Sequence, residues 1–504
     1  MPDPTQEQSA VVDEFQNGGD LVVQAGAGTG KTTTLQMLAE ADTRNGLYIV
    51  FNKAAASEAK RRFPARVQCT TAHSLAYRAV GHRYRNRLSS PRIPSRKVAV
   101  ALGIHQDLQL GGKVLEPWNL AYVATETVRG FCLSADQELT ERHVPVQRGA
   151  ESPEVHVLLA EVVVPFARQV WADAVHPEGW KVKFLHDHYL KLWQLTQPQL
   201  NAPYVMVDEA QDTNPVLESV INGQRGHTQL VLVGDSAQQI YAWRGARDIM
   251  TGSPGRHLNL SQSFRFGTQL AHEANRWLSI VNAPLRLTGH HGTRTSIGPL
   301  EHADAVLCRT NAGAMIEVRR HLGTGRRVAM AGGGDDLRKL ALAARDLKSG
   351  KGTNHHDLLL FKSWGELQEY AENDPAGRDL LPWVELVDDL GHEEILGFLD
   401  RLGDEHSADV TISTAHKAKG REWSSVRIAD DFPEPEPTDT GQPGPISRAE
   451  ARLAYVAITR ARHHLERGSL AWIDDHPAGQ TSGTPNTARP GHSDPWARLG
   501  PAPR

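Results

Sequence analysis

The sequence predicts an α/β fold built on two parallel sheets, each interrupted by a mostly helical insertion. Three observations predict it. Short β-rich runs alternate with helical patterns over the first 84 residues, the rhythm of a parallel sheet with crossover helices. That rhythm breaks off twice and returns twice. At 504 residues the chain is also too long for one core, and its length favours about two to four domains.

Taken in order, LVVQA (21–25) is the first strand and runs through a glycine-rich turn into the helical TTTLQMLAEAD. LYIVF (47–51) is the second, followed by the Ala-rich helix AAASEAKRRF, and RVQCT (66–70) is the third. Residues 85–195 lose the alternation and are expected to form a helical insertion. YVMVDEA (204–210) and LVLVGD (230–235) resume the first sheet. A second set begins near HLNLSQSF (257–264) and continues with AVLCRT (305–310) and RVAMAGG (327–333). An acidic helical stretch interrupts it before VTISTAH (410–416) and SSVRIAD (424–430). A Pro/Glu/Gly loop (433–445) then precedes the helix RAEARLAYVAITRA. The expected boundaries are 1–84 with 196–255 for the first domain and 85–195 for its insertion. The second domain is 256–335 with 409–475, its reduced acidic insertion 336–408. Residues 476–504, rich in Gly, Pro, Ser and Thr, are expected to be disordered.

Composition narrows the function classes. Hydrophobic residues at 39% and charged residues at 23% describe an ordinary globular protein. No continuous apolar run is long enough to span a bilayer, and MPDPTQEQSA lacks the basic start and apolar core of a secretory signal. Cys69, Cys132 and Cys308 lie too far apart for a disulfide framework or a clustered metal site, so reduced, buried thiols and a cytoplasmic location are expected. The net charge of −4 hides an asymmetry: residues 51–97 balance to +11 and residues 371–409 to −10. The basic segment, interleaved with Phe51, Phe63, Tyr77 and Tyr84, fits a polyanion-facing surface better than an ordinary solvated face.

The chemistry begins at AGAGTGKT (25–32). The small residues Ala25, Gly26, Ala27, Gly28, Thr29 and Gly30 follow a strand and let backbone N–H groups curl around phosphate oxygens. Lys31 is placed to reach the β- and γ-phosphates, Thr32 to ligate Mg²⁺, and Thr33 continues the helix whose N-terminus faces the anion. A glycine-rich hairpin shares the composition but not the order strand, loop, Lys-Thr, helix. A P-loop needs a partner acid at the end of another strand, and VMVDEAQD (205–212) supplies two. Asp208 is expected to hold Mg²⁺ through water, and Glu209 to orient and deprotonate the attacking water.

With these motifs in place the chain resembles the UvrD/Rep group of superfamily 1A helicases, from residue 8 to residue 462. PTQEQSAVV, VFNKAAASEAKRRF, TTAHSLAYR, DEAQDTN, GDSAQQIYAWRGA, LSQSFR, TISTAHKAKGREW and EARLAYVAITRAR match its motifs in order. The FNK segment, the short second insertion and KSWGELQEYAEND particularly resemble the F-box DNA helicase branch and small phage or bacterial relatives. No F-box is expected upstream, because the P-loop begins so early. The resemblance implies two RecA-like P-loop NTPase domains with ATP in the cleft between them and DNA across the top.

It also implies roles. Gln8 reads adenine, Phe264 stacks on it where the family usually has Tyr, and Glu422 accepts from the ribose hydroxyls. Gln238 senses the γ-phosphate, and Arg265 and Arg460 place permanently charged, planar guanidinium groups on the transition-state charge. Tyr241 and Trp243 stack on bases, a grip that works for any sequence. Asn52, Thr71, His73, Arg244 and His416 hold backbone or bases. The sequence departs from the pattern at Ala25, at Phe51 directly before Asn52, and at Ala72. ATP and Mg²⁺ are the implied cofactors. Single-stranded DNA and tailed or forked duplexes are the implied partners, with recombination or replication proteins beside them and no membrane. The expected activity is a 3′→5′ helicase or translocase in repair, recombination or replication. A translocase that strips proteins from DNA without unwinding shares every motif. A helicase–nuclease would need an appended acidic/Lys cluster, and a binding module with a dead ATP site is opposed by intact Lys31, Thr32, Asp208, Glu209 and Arg460.

Overall fold

The computed structural model describes residues 3–241, 245–374 and 376–479; of the tail, residues 480–504 lie outside the described residues. Strands β1 (Leu21–Ala25), β2 (Gly46–Ile49) and β3 (Val67–Thr70) open the chain. A small antiparallel hairpin, β4 (Leu108–Leu110) and β5 (Lys113–Leu115), sits in the first insertion. β6 (Tyr204–Val207), β7 (Gln229–Gly234) and β8 (Arg256–Leu260) follow. The first sheet is parallel throughout, in the order β3-β2-β6-β7-β1-β8. β1, β6 and β7 are buried at every position, which is why they read as continuous apolar runs.

The second sheet holds β9 (Ser296–Ile297), β10 (Ala305–Cys308), β11 (Val328–Met330), β12 (Val410–Thr414), β13 (Trp423–Ile428) and β14 (Ala461–Glu466). It too is parallel, in the order β11-β12-β10-β13-β14-β9. Two sequence expectations need correction. Residues 256–260, assigned above to the second domain, form β8 and pair with β1 at the edge of the first sheet. Their pattern announces a strand but carries no signal for which sheet it joins. The helix expected over RAEARLAYVAITRA ends at Ile458, and ARHHLE, for which no strand is expected above, is β14; only Ala461 and Leu465 along it are buried, and its charged and His positions mask the strand.

The two insertions are built differently. In the first, helices Pro117–Leu133 and Pro153–Val175 make their own core from Val123, Val128, Phe131, Val163, Ala167 and Val170. Pro153–Val175 is by length and composition apolar enough to cross a membrane. Its buried residues recur at helical spacing on one side, while Glu154, Glu161 and Arg168 are exposed. In the second, helices Asp335–Lys348, Trp364–Asn373, Leu381–Leu390 and His392–Asp400 share one core with Val306, Val318, Val328, Val410 and Ile412. They therefore cover one face of the second sheet instead of standing apart. Helices Thr268–Ile280 and Arg448–Ile458 cover the other face.

The basic segment divides by role. Phe63 stacks on Tyr48 and Tyr84 on Phe184, both buried, so these two aromatics are core. Arg87 is buried and donates to the carbonyls of Asp173, Ala174, His176 and Val182, tying down the end of the long helix. Lys53, Lys60, Arg61, Arg62, Arg78, Arg83 and Arg85 remain exposed, and Phe51 beside them is 70% exposed. All three cysteines are buried free thiols.

Candidate active site between the two sheets

In open parallel sheets ligands bind beyond the carboxyl ends of the strands. β6, β7 and β1 are neighbours, and their carboxyl ends carry Asp208-Glu209, Asp235 and the P-loop respectively. Gly28 (φ 74°) and Gly30 (φ 78°) take left-handed conformations that turn the loop into the helix Lys31–Ala41. The Thr29 hydroxyl donates to the Gly26 carbonyl at 2.9 Å and closes the turn from inside.

Lys31 Nζ lies 3.0 Å from Glu209 Oε1. Burial works against its ammonium, but Glu209, Asp208 and Asp235 outweigh that and hold its pKa above the ordinary lysine value. Burial and the charge of Glu209 push Asp208 up, although its Oδ2 accepts from the Tyr48 hydroxyl at 2.6 Å. Burial favours neutral Glu209 as well, yet Lys31 and Lys419 pull it down to about 2. Two adjacent carboxylates are thus driven apart in proton affinity by their surroundings, the pattern of sites that divide acid and base work. Glu209 also sits at φ 51°, ψ 42°, a strained backbone for a residue with a side chain, which aims its carboxylate into the cleft.

The second half presses against this cradle. A side chain at Gly28 would collide with Arg265 Cβ at 2.6 Å, and Phe264 N–H donates to the Gly28 carbonyl at 2.8 Å. Gln8 and the Phe264 ring flank Gly30, with Gln8 Nε2 also donating to Thr34 Oγ1 at 3.1 Å. Arg460 is 2% exposed; it donates to the Val456 carbonyl at 2.9 Å and approaches Gln238 Oε1 at 3.4 Å. Its burial, reinforced by Arg265, lowers its pKa to about 9. Arg265 pairs with Glu422 at 2.7 Å, so the residue expected on the ribose holds an arginine in this structure.

The polar groups expected on DNA lie along the same upper edge. Asn52 Oδ1 and Thr71 Oγ1 cap helices Lys53–Arg62 and Ala72–Ala79 by accepting from Ala55 and Ser74 N–H groups. His73 Nε2 is 3.2 Å from Asp187 Oδ1. The Tyr241 hydroxyl donates to the His416 carbonyl at 2.8 Å, joining the two halves. Trp243 and Arg244 lie outside the described residues.

Several residues that the sequence reading passed over are central here. Tyr455 of the second half accepts from Ala27 N–H at 3.0 Å and donates to Asp235 Oδ2 at 3.0 Å. Asp235 also accepts from Gln238 Nε2 at 2.7 Å, so one buried carboxylate orients Gln238 and anchors the P-loop across the cleft. Gln211 Nε2 donates to Glu209 Oε2 at 2.5 Å, and Lys419 pairs with Asp212. All lie inside motifs already quoted, but nothing local marks which letters face across the cleft.

A family model described as an AAA domain matches residues 7–244, and one described as a UvrD-like helicase C-terminal domain matches residues 392–466. F-box DNA helicase protein 1 of Schizosaccharomyces pombe is 29% identical over 510 residues, covering 92% of this chain and 57% of that protein. F-box DNA helicase 1 of Gallus gallus is 30% identical over 506 residues, covering 92% and 48%. ATP-dependent DNA helicase UvrD2 of Mycobacterium tuberculosis is 24% identical over 580 residues, covering 96% and 81%. The chain spans about half the length of the two F-box helicases, 57% and 48%.

Proposed function

The chain belongs to the UvrD-like superfamily 1 helicases, and from that premise we propose that it hydrolyses ATP to move 3′→5′ along single-stranded DNA and opens tailed or forked duplexes. The observation that carries this reading is the convergence of half-buried Lys31 and Glu209 and buried Gln238 from one half with buried Arg460 from the other in a single cleft. A motor needs this division, because closure then completes the catalytic set and opening dismantles it.

In the proposed cycle the P-loop N–H groups and Lys31 take the phosphates, and Glu209 orients and deprotonates the attacking water. Gln238, held by Asp235, and the guanidinium groups of Arg265 and Arg460 meet the charge of the transferring phosphoryl group. Contributions of this kind are worth roughly 10³–10⁵ in rate in other NTPases. For Arg265 to reach the phosphate it must release Glu422, which frees that carboxylate for the ribose. The donor set fits Mg²⁺: the Asp208 carboxylate and the Thr32 hydroxyl are both oxygen donors, and so small a set suits a hard cation that keeps most of its waters. Thr32 and Asp208 are the residues assigned to it, and when bound it neutralises phosphate charge.

The exposed cations near Phe51 and the Tyr241–Trp243 segment supply the grip on DNA. The 3′→5′ polarity rests on the resemblance of that segment to the 3′→5′ branch, and the proposed setting is repair, recombination or replication. Strand displacement on 3′- and 5′-tailed duplexes tests the proposal. ATP-dependent opening of the 3′-tailed substrate in preference is expected; preference for the 5′ tail overturns the polarity, and absence of DNA-stimulated ATP hydrolysis overturns the reading as a whole.

A further inference from the structure

We propose that Lys419 is a positioning residue that couples the DNA-facing edge to the hydrolytic carboxylate Glu209; the inference rests on the reading of this chain as a DNA-stimulated ATPase. Lys419 follows the short helix Ala415–Ala418 at the carboxyl end of β12, so it belongs to the second half. Its side chain nevertheless crosses into the first half and is only 8% exposed.

There the ammonium makes three contacts. It pairs with Asp212, itself 5% exposed, it donates to the Gln238 carbonyl oxygen at 2.6 Å, and it lies 5.2 Å from the centre of the Tyr241 ring. The contacts lead in different directions. Tyr241 sits on the edge where DNA is expected, and its hydroxyl is held by His416, three residues before Lys419. Asp212 leads to the reaction centre through Gln211, whose amide nitrogen donates to Glu209 Oε2 at 2.5 Å and approaches Asp212 Oδ2 at 3.4 Å.

Gln211 has little freedom to absorb a disturbance. Its side chain is fully buried, its amide oxygen Oε1 accepts from Asp235 N–H at 3.0 Å, and a single added carbon on Gly234 would fall 2.1 Å from that oxygen. A shift of Lys419 or Asp212 is therefore passed to Glu209. The other oxygen of Asp212, Oδ1, is buried without a hydrogen-bond partner among the described residues, and among them Lys419 is the cation paired with this carboxylate. A buried charge that loses its partner is strongly destabilised, which makes the contact all-or-none as the halves part and close. Stacking of a base against Tyr241 acts on the ring over which the ammonium sits, and so on whether that ammonium is seated.

The test measures ATP turnover of the full chain with and without saturating oligo-dT, for wild type, K419M, K419R and D212N. K419M and D212N are expected to lower the DNA-stimulated kcat by roughly 5–150-fold, the usual range of coupling between two sites. The DNA-free rate should fall by a smaller factor, with KM for ATP nearly constant, and K419R should recover part of the loss because it keeps the charge. Equal proportional losses in both rates, or an effect confined to KM, overturn the inference. If K419M shows no cooperative melting, D212N decides alone: full stimulation in a folded D212N protein also overturns it. A wild-type chain that DNA does not stimulate overturns the underlying reading instead.

Discussion

Two of the places where the halves meet differ in how much of the contact is charged. In the nucleotide cleft a small apolar seam of Ala27, Ala237 and Ile240 against the second half's core is joined by buried polar contacts: Lys419 on Asp212, Arg460 near Gln238, and Tyr455 between Ala27 N–H and Asp235. Between the insertions, Leu359 and Leu360 of the second, each 6% exposed, enter the core of the first. Their rim is polar: Arg148 pairs with Asp379 at 2.8 Å, Tyr370 donates to Glu151, and Lys113 sits 4.5 Å over the Phe361 ring. Burying an apolar side chain is favourable without any geometric condition, at about 1.5–3 kcal/mol each. Burying charges is favourable only when every partner is in place. The insertion contact is thus suited to persist, and the charged part of the cleft contact to be made and broken.

The sharpest way to break the comparison is at Glu209, the carboxylate proposed as the general base. E209Q should lower DNA-stimulated kcat by roughly 10²–10⁴, the worth of a general base, while the melting temperature changes little. Parallel calorimetry and ATPase assays check this, and large residual turnover would remove Glu209 from its role. Next comes the apolar joint. L359A and L360A should each cost about 2–5 kcal/mol of unfolding free energy by denaturant titration, with DNA-free ATP turnover retained below the transition. Loss of turnover in a folded variant would show that the two joints are not separable.

A pH titration sharpens the contrast further. Burial raises Asp212 to about 6 against the pull of Lys419, with Glu209 raising it further and Lys31 opposing. A raised carboxyl pKa means that the ion pair exists above that value and is lost as pH falls through it. The DNA-stimulated part of turnover should therefore fall about tenfold per pH unit below roughly 6. D212N should lack that limb, and an identical low-pH limb in D212N would refute the assignment. Smallest of all is R148A at the exposed rim, which should change stability by at most about 1 kcal/mol in the same denaturant titration.

What was legible in the sequence is what lies contiguous along it. β1 with its P-loop, β6 with Asp208 and Glu209, and β7 leading to Gln238 each announce themselves because strand, turn and chemistry occupy a few consecutive residues. The cleft contacts do not: Ala27 and Tyr455 are 428 residues apart, and Lys419 and Asp212 207 apart. Their letters sit in recognised motifs, but facing is a property of the assembled halves. The same limit hid the sheet to which Arg256–Leu260 belongs and the shared core of the second insertion. Phe63 and Tyr84 were read with a basic surface because local charge density cannot distinguish an aromatic lying over that surface from one lying under it; both pack inward.

Because β8 closes the first sheet, the chain passes from one half to the other just after Leu260, and it does so once. Glu7 grips that crossing by accepting from Ser261 N–H at 2.6 Å and from its hydroxyl at 2.7 Å. Phe264 and Arg265 follow within a few residues and lie against Gly28 and Gly30, so the crossing and the P-loop contacts nearly coincide. The Tyr241–His416 contact joins the same two halves, so it and the P-loop contacts are tied to one crossing. In the proposed cycle, opening and closing of the cleft would be felt at the P-loop and at that contact in one movement.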